Sequence, residues 1–161
     1  MIQLVRIDDR LVHGQVAIGW TSSVGANTIL VVNDEAQQDK IKAMALDLAK
    51  PSGVKMYIRS VAEAGEIVPK FAESKKSQVL ILVKTTDDAL ALIENSAGTV
   101  KTLNVGGLRF EEGKQKLNDF IAVSEKDVEN FKKIEAMGVE LDFRMLPRDK
   151  QLGFSDLVKG R

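Results

Sequence analysis

Val79-Leu80-Ile81-Leu82-Val83 is an unbroken run of five apolar residues. A strand with one face in water alternates apolar and polar side chains. This run does not alternate, which predicts a strand covered on both faces, as in a parallel sheet. Residues 85–88 follow with helix-opening chemistry and lead a periodic segment to Ile93, closed near Gly98. Residues 101–105 read as the next strand and end in Gly106-Gly107. Upstream, Ser60 and Glu63 have the spacing of a capping box. Val61, Ala64, Val68 and Phe71 then form a helical stripe, with Pro69 late enough to kink or shorten it. Strands are predicted at residues 2–7, 28–32 and 54–58. Helices are predicted at residues 14–23 and from Asn33-Asp34 to about Ala49, the latter with Ile41, Met44, Ala45 and Leu48 in register. Beyond a polar, loop-like stretch at 108–118, strands are expected at 120–123 and 139–146. A helix between them is capped by Ser124 and Asp127, carries Val128, Phe131 and Ile134, and ends at Gly138. A short tail element is expected at 154–158.

This βα alternation predicts a single α/β domain over residues 1–161. The expected architecture is an open, mostly parallel sheet with helices on both faces and room for one antiparallel edge strand. Met44, Met56, Met137, Met145 and Trp20 are expected to fill its core. Ligands of such sheets bind at the carboxyl ends of the strands, so the loops there are the ones to inspect.

Composition narrows the function. Among 161 residues, Lys plus Arg and Asp plus Glu each number 23, giving zero formal charge and no basic excess for a nucleic-acid partner. Cysteine is absent, which excludes disulfides, zinc-thiolate and iron–sulfur sites and thiol nucleophiles. No apolar run exceeds five residues, far below the ~20 of a membrane span. The opening residues lack the pattern of a signal peptide, and a cytosolic location is expected. The P-loop, the dinucleotide-binding glycine fingerprint and the nucleophile elbow are all missing.

What remains is the first loop, Arg6-Ile7-Asp8-Asp9-Arg10-Leu11-Val12-His13-Gly14-Gln15-Val16, which holds the only histidine. A neutral imidazole nitrogen is a nucleophile. Attack on phosphorus would leave a dianionic group needing charge-assisted donors, and Arg6 and Arg10 could supply them. A helix starting at Gly14 offers free backbone N–H groups, and an aspartate could orient the ring. The plain alternative is that His13 is a surface residue, Asp8 and Asp9 are a cap and a solvated charge, Gly106-Gly107 is a tight turn, and Lys84 is a solvated strand end.

The run from Arg6 to Val16 resembles the phosphorylation loop of enzyme IIB of the bacterial sugar phosphotransferase system, in its mannose/fructose/sorbose class. The resemblance continues through Val31-Val32-Asn33-Asp34-Glu35, Asn104-Val105-Gly106-Gly107-Leu108 and Ser124-Glu125-Lys126-Asp127, and covers essentially the whole chain. Leu108 stands where some relatives carry methionine, a volume-conserving change. The resemblance implies that His13 accepts a phosphoryl group from a phosphohistidine on a IIA partner. It then passes the group to a sugar held by the membrane components IIC and IID. No metal or other cofactor is implied, and the location is cytoplasmic with transient visits to the inner face of the membrane. Arg10 is the first choice for neutralising the phosphoryl oxygens and Arg6 the second. Asp9 is the expected ring orienter, and Gly14, Gln15, Lys84 and Gly107 are expected at the site rim. The sugar, the modified ring nitrogen and the oligomeric state are not legible. A response-regulator receiver would need an acceptor aspartate where Ile58-Arg59-Ser60 stands. A non-catalytic α/β regulatory binding module remains the alternative.

Overall fold

The computed structural model describes residues 1–158, and residues 159–161 lie outside the described residues. Strands β1 (Ile2–Asp8), β2 (Thr28–Val32), β3 (Lys55–Arg59), β4 (Val79–Val83), β5 (Thr102–Gly107) and β8 (Glu140–Phe143) form one sheet in the order β3-β2-β4-β1-β5-β8. Every pairing in it is parallel, including that of the edge strand β8 with β5. The antiparallel pairing lies outside this sheet, in a small ribbon of β6 (Gln115–Lys116) and β7 (Ala122–Val123).

The non-alternating strands follow from helices on both faces. Helices α1 (Gly14–Val24), α2 (Asp34–Gln38) and α3 (Lys40–Ala49) cover one side. There Trp20, Ala36 and Leu46 pack with Ile29, Val31, Leu80 and Leu82. Helices α4 (Val61–Glu73), α5 (Thr86–Glu94) and α6 (Glu125–Ala136) cover the other. There Val68, Leu92 and Phe131 pack with Leu30, Val32, Val79, Ile81 and Val83. Neighbouring residues of β2 and β4 thus serve opposite cores, as the period of 2 requires. Helix α7 (Phe154–Val158) closes the far end, where Phe154 meets Phe131 and Phe143 at ring separations of 5.6 and 5.9 Å.

Both capping boxes form as expected, at Ser60 with Glu63 and at Ser124 with Asp127. Helix α4 runs through Pro69 to Glu73 rather than ending there. The helix expected from Asp34 to Ala49 is two helices. Asp39 adopts extended backbone and accepts hydrogen bonds from the Ile41 and Lys42 amides, an aspartate turn that competes with the helix ladder. The strand expected at 120–123 does not join the main sheet. Ile121 makes an isolated bridge to Leu108, and only Ala122–Val123 enters the ribbon. The last strand stops at Phe143, because Arg144 turns back to bond Asp142 and the Pro147 carbonyl.

The core expectation fails for α3. Ile41, Met44 and Leu48 are 79%, 65% and 86% exposed, while Leu46 takes the buried position. Met137 is also exposed, whereas Trp20 is buried as expected. A stripe of period 3.6 reveals an apolar face but not which way the helix turns it.

Replacing Phe131, fully buried between Phe143 and Phe154, by alanine is expected to cost about 3–5 kcal/mol of folding stability. Urea unfolding checks this, and a loss under ~1 kcal/mol would show that this end of the core collapses without strain.

Candidate functional site

Strand β1 sends its following loop to α1 on one face, while its neighbours β4 and β5 connect toward the other. The end of β1 is therefore a switch point of the sheet, the place where open α/β sheets bind their ligands. His13 lies there, immediately before α1.

Asp8 organises this corner. Its side chain is 1% exposed. Oδ2 accepts from Arg6 Nη2 at 3.0 Å and lies 2.8 Å from His13 Nε2, and Oδ1 accepts the Arg10 backbone N–H at 3.0 Å. A carboxylate only accepts, so Nε2 carries the shared proton and Nδ1 is the ring nitrogen left with a lone pair. The ring keeps 21% exposure, enough to be reached from solvent. The loop that brings it back to Asp8 is pinned from below by buried Leu11 and Val12, with the Leu11 amide bonded to the Asp8 carbonyl. Leu11 takes a left-handed backbone (φ 57°), an unfavourable conformation for a branched residue, held here by that turn and by burial. Gly14 follows with φ 42° and open space where a side chain would be.

Arg6 is equally buried. Its guanidinium donates to Asn104 Oδ1 at 2.5 Å and the Arg144 carbonyl at 3.3 Å, and lies over the Trp20 ring at 5.2 Å. Burial pulls its pKa down, and the neighbouring Asp8 carboxylate opposes that shift. Asn104 in turn donates to the Asp142 and Arg144 carbonyls, and Arg144 bonds Asp142 and also lies over the Trp20 ring, at 5.3 Å. Trp20 donates its indole N–H to the Met145 carbonyl. A continuous polar layer therefore runs from His13 through β1 and β5 to the edge strand β8.

Gly106 and Gly107 lie within β5 rather than in a tight turn. A Cβ on Gly106 would fall 1.8 Å from Arg6 Nη1, and one on Gly107 would fall 3.1 Å from Asp8 Oδ1. The two glycines make a flat wall against which guanidinium and carboxylate lie.

Two site expectations are corrected. Asp9 does not orient the ring. It accepts from the Arg109 backbone N–H and Nε at 2.8 and 3.0 Å, tying the first loop to the chain after β5. Asp8, a strand residue on the same face as Arg6, holds the ring instead. Arg6 is not available to an incoming group, because its side chain is shut away from solvent and both Nη atoms are bonded within the protein. Arg10 keeps a half-exposed side chain, with Nε 4.0 Å from Asp8 Oδ1. Gln15 is exposed, whereas Lys84, at the end of β4, sits 3.8 Å from Glu35. Asp8, Asn104, Asp142 and Arg144 were missed as site residues. The signal for Asp8 was its two-residue spacing from Arg6, which puts both on one face of a strand.

Residues 2–161 match the family model described as the PTS system sorbose subfamily IIB component, and the chain belongs to that family of IIB components of sugar phosphotransferase systems. It is 38% identical over 160 residues to the mannose-specific EIIAB component of Escherichia coli K12, covering 98% of this chain and 48% of that one. The chain thus spans about half the length of that relative. It is 33% identical to the fructose-specific EIIB component of Bacillus subtilis, covering 98% and 96%. Among solved structures, the IIBSor domain of the Klebsiella pneumoniae sorbose permease superposes with a TM-score of 0.90 at 29% identity, over 99% of this chain and 97% of that one. No helix among the described residues is long and apolar enough to cross a membrane.

Gly106→Ala is expected to expel Arg6 from its slot and cost about 3 kcal/mol, whereas Gly107→Ala, with one close contact to Asp8 to relieve, is expected to cost about 1 kcal/mol. Denaturant unfolding of both variants tests the ranking, and equal, small losses would show that Arg6 is not confined by β5.

Proposed function

We propose that this protein is a phosphoryl carrier in sugar uptake, with His13 as the covalent acceptor. The observation that carries this reading is the Nε2–Asp8 hydrogen bond, which leaves Nδ1 as the nucleophile of a partly exposed ring. In the first transfer, a phosphohistidine on a IIA component gives up its phosphoryl group. A P–N bond forms at His13 Nδ1 as the P–N bond to the donor ring breaks, and the donor nitrogen recovers its lone pair. Asp8 stabilises the positive charge that develops on the His13 ring while Nε2 keeps its proton. In the second transfer, a sugar hydroxyl held by membrane components IIC and IID attacks the phosphorus. The O–P bond forms as the P–Nδ1 bond to His13 breaks, the electron pair returns to Nδ1, the hydroxyl proton passes to water, and neutral His13 is regenerated.

Transfer between two imidazoles is close to balanced, so the protein's task is positioning and neutralisation of the phosphoryl oxygens. Arg10 is the exposed guanidinium beside the ring's carboxylate, and the first turn of α1 supplies unpaired backbone N–H groups. Arg6 acts at one remove, by holding Asp8. The sugar is a hexose or amino sugar; the names of the relatives cover mannose, fructose, sorbose and N-acetylgalactosamine. The donor and the membrane components must reach the same histidine, so they share overlapping surface at this edge of the sheet. A regulatory binding module would dock IIA without taking up the phosphoryl group.

His13→Ala is expected to abolish labelling by phosphorylated IIA while circular dichroism stays unchanged, because the ring contributes little to either core. Labelling of that variant at the normal rate would overturn the assignment, and docking without labelling of the natural chain would favour the binding module.

Arg10→Ala is expected to slow transfer by about 10²-fold, with Arg10→Lys between it and the natural protein because lysine keeps the charge but loses the fork. Rapid-quench kinetics with labelled IIA provides the check, and unchanged rates in both variants would make Arg10 a bystander.

The association rate with IIA is expected to fall as salt rises, because a chain of zero net charge must steer through local charges screened beyond about 10 Å at 0.1 M. A stopped-flow salt series measures this, and a flat response would place docking away from the Arg10 edge.

A further inference from the structure

Helix α3 turns its most apolar face away from the protein. At about 100° per residue, Ile41, Met44 and Leu48 fall within about 60° of one another, opposite the buried Leu46. Their spacing of three and then four residues is that of a helix-packing seam. A shallow depression of about 330 Å³ lined by Ala43, Met44, Asp47 and Leu48 lies along it. The helix sits over the β3 end of the sheet, the open edge opposite β8, where no further strand is added among the described residues.

The charges beside the seam point to its occupant. Lys40 and Asp47 are seven residues apart, so they lie within about 20° of each other on the same flank. Neither side chain takes part in an ion pair among the described residues. A two-fold axis perpendicular to an antiparallel helix pair reverses chain direction but keeps each flank on its own side. An axis beside Met44, midway between residues 40 and 47, therefore sets each Lys40 against the other copy's Asp47. The same axis sets Met44 near its own copy, and on the opposite flank it sets Lys42 against Ala45, so like charges do not meet. A lipid surface is the poorer match. Over residues 34–50 the acids Asp34, Glu35, Asp39 and Asp47 outnumber the lysines 40, 42 and 50, whereas interfacial helices on anionic bilayers carry a basic excess.

We propose that α3 is a self-association surface, through which two copies of this chain pair antiparallel about a two-fold axis at Met44. The inference is independent of the phosphoryl-carrier reading. The seam is small, so pairing is weak and concentration-dependent, and isologous as in most homodimers.

Sedimentation equilibrium of the natural chain from about 1 μM to about 1 mM is expected to show a monomer–dimer equilibrium. Leu48→Glu should abolish it. Lys40→Glu and Asp47→Lys, each placing a charge that suits its end of the helix dipole and so not threatening the fold, should each raise the dissociation constant about fivefold to tenfold. The double variant restores an opposite-charge pair and should return to the natural value. A natural chain that stays monomeric throughout overturns the proposal, as does a dimer indifferent to Leu48→Glu or a double variant no better than the singles. A monomer that floats with anionic vesicles, and loses this in Leu48→Glu, would assign the face to lipid instead.

Discussion

Arg6 and Asp8 lie side by side at the end of β1, both shut away from water, and the rest of the site is arranged around keeping them there. Burying a charge costs several kcal/mol unless it is paired and its remaining hydrogen-bonding positions are filled. Here Asp8 accepts from Arg6, His13 and the Arg10 amide, and Arg6 donates to Asn104 and the Arg144 carbonyl as well. Gly106 provides the room, since any side chain there would occupy the place of the guanidinium. The polar layer that results crosses three parallel strands, and its last members, Asp142 and Arg144, also determine where β8 ends. One ion pair therefore links the edge of the sheet, the seat of Trp20 and the orientation of a histidine on the surface.

This arrangement separates two tasks often given to a single arginine. Arg6 is fixed, desolvated and committed to Asp8, so it sets the hydrogen bond that selects the free nitrogen of His13. Arg10 keeps a half-exposed side chain, which suits it to meet the group arriving in the proposed transfer. The proposed carrier role asks that the phosphoryl group be held well enough to be accepted and loosely enough to be passed on, and a buried, hydrogen-bonded layer beneath a partly exposed ring suits both.

The parallel sheet was legible because β2 and β4 are apolar without alternation, and the capping boxes at Ser60 and Ser124 located two helix starts to the residue. His13 stood out as the only imidazole, in a loop with arginines. The roles around it were harder to read. Asp8 and Asp9 are chemically identical in the sequence, and only the strand's alternation, carried one residue further than expected, sends Asp8 inward beside Arg6 and Asp9 outward to Arg109. Asn104 and Asp142 lie 98 and 136 positions from Arg6, and sequence spacing holds no trace of their meeting. Asp39 split a helix through a local turn, and the stripe of α3 faced outward because Leu46, outside that stripe, filled the core position. The glycines of β5 are needed for what lies against them, which becomes visible only when β1 is laid beside β5.

By holding Nε2, Asp8 leaves Nδ1 of His13 as the nitrogen proposed to carry phosphorus. Nitrogen-15 and phosphorus-31 NMR of the protein phosphorylated with an excess of IIA would identify the modified nitrogen directly. Phosphorus coupled to Nδ1 is expected, with Nε2 still protonated and bonded to Asp8. Phosphorus on Nε2 would contradict it, because that product requires the Asp8 hydrogen bond to be broken before transfer.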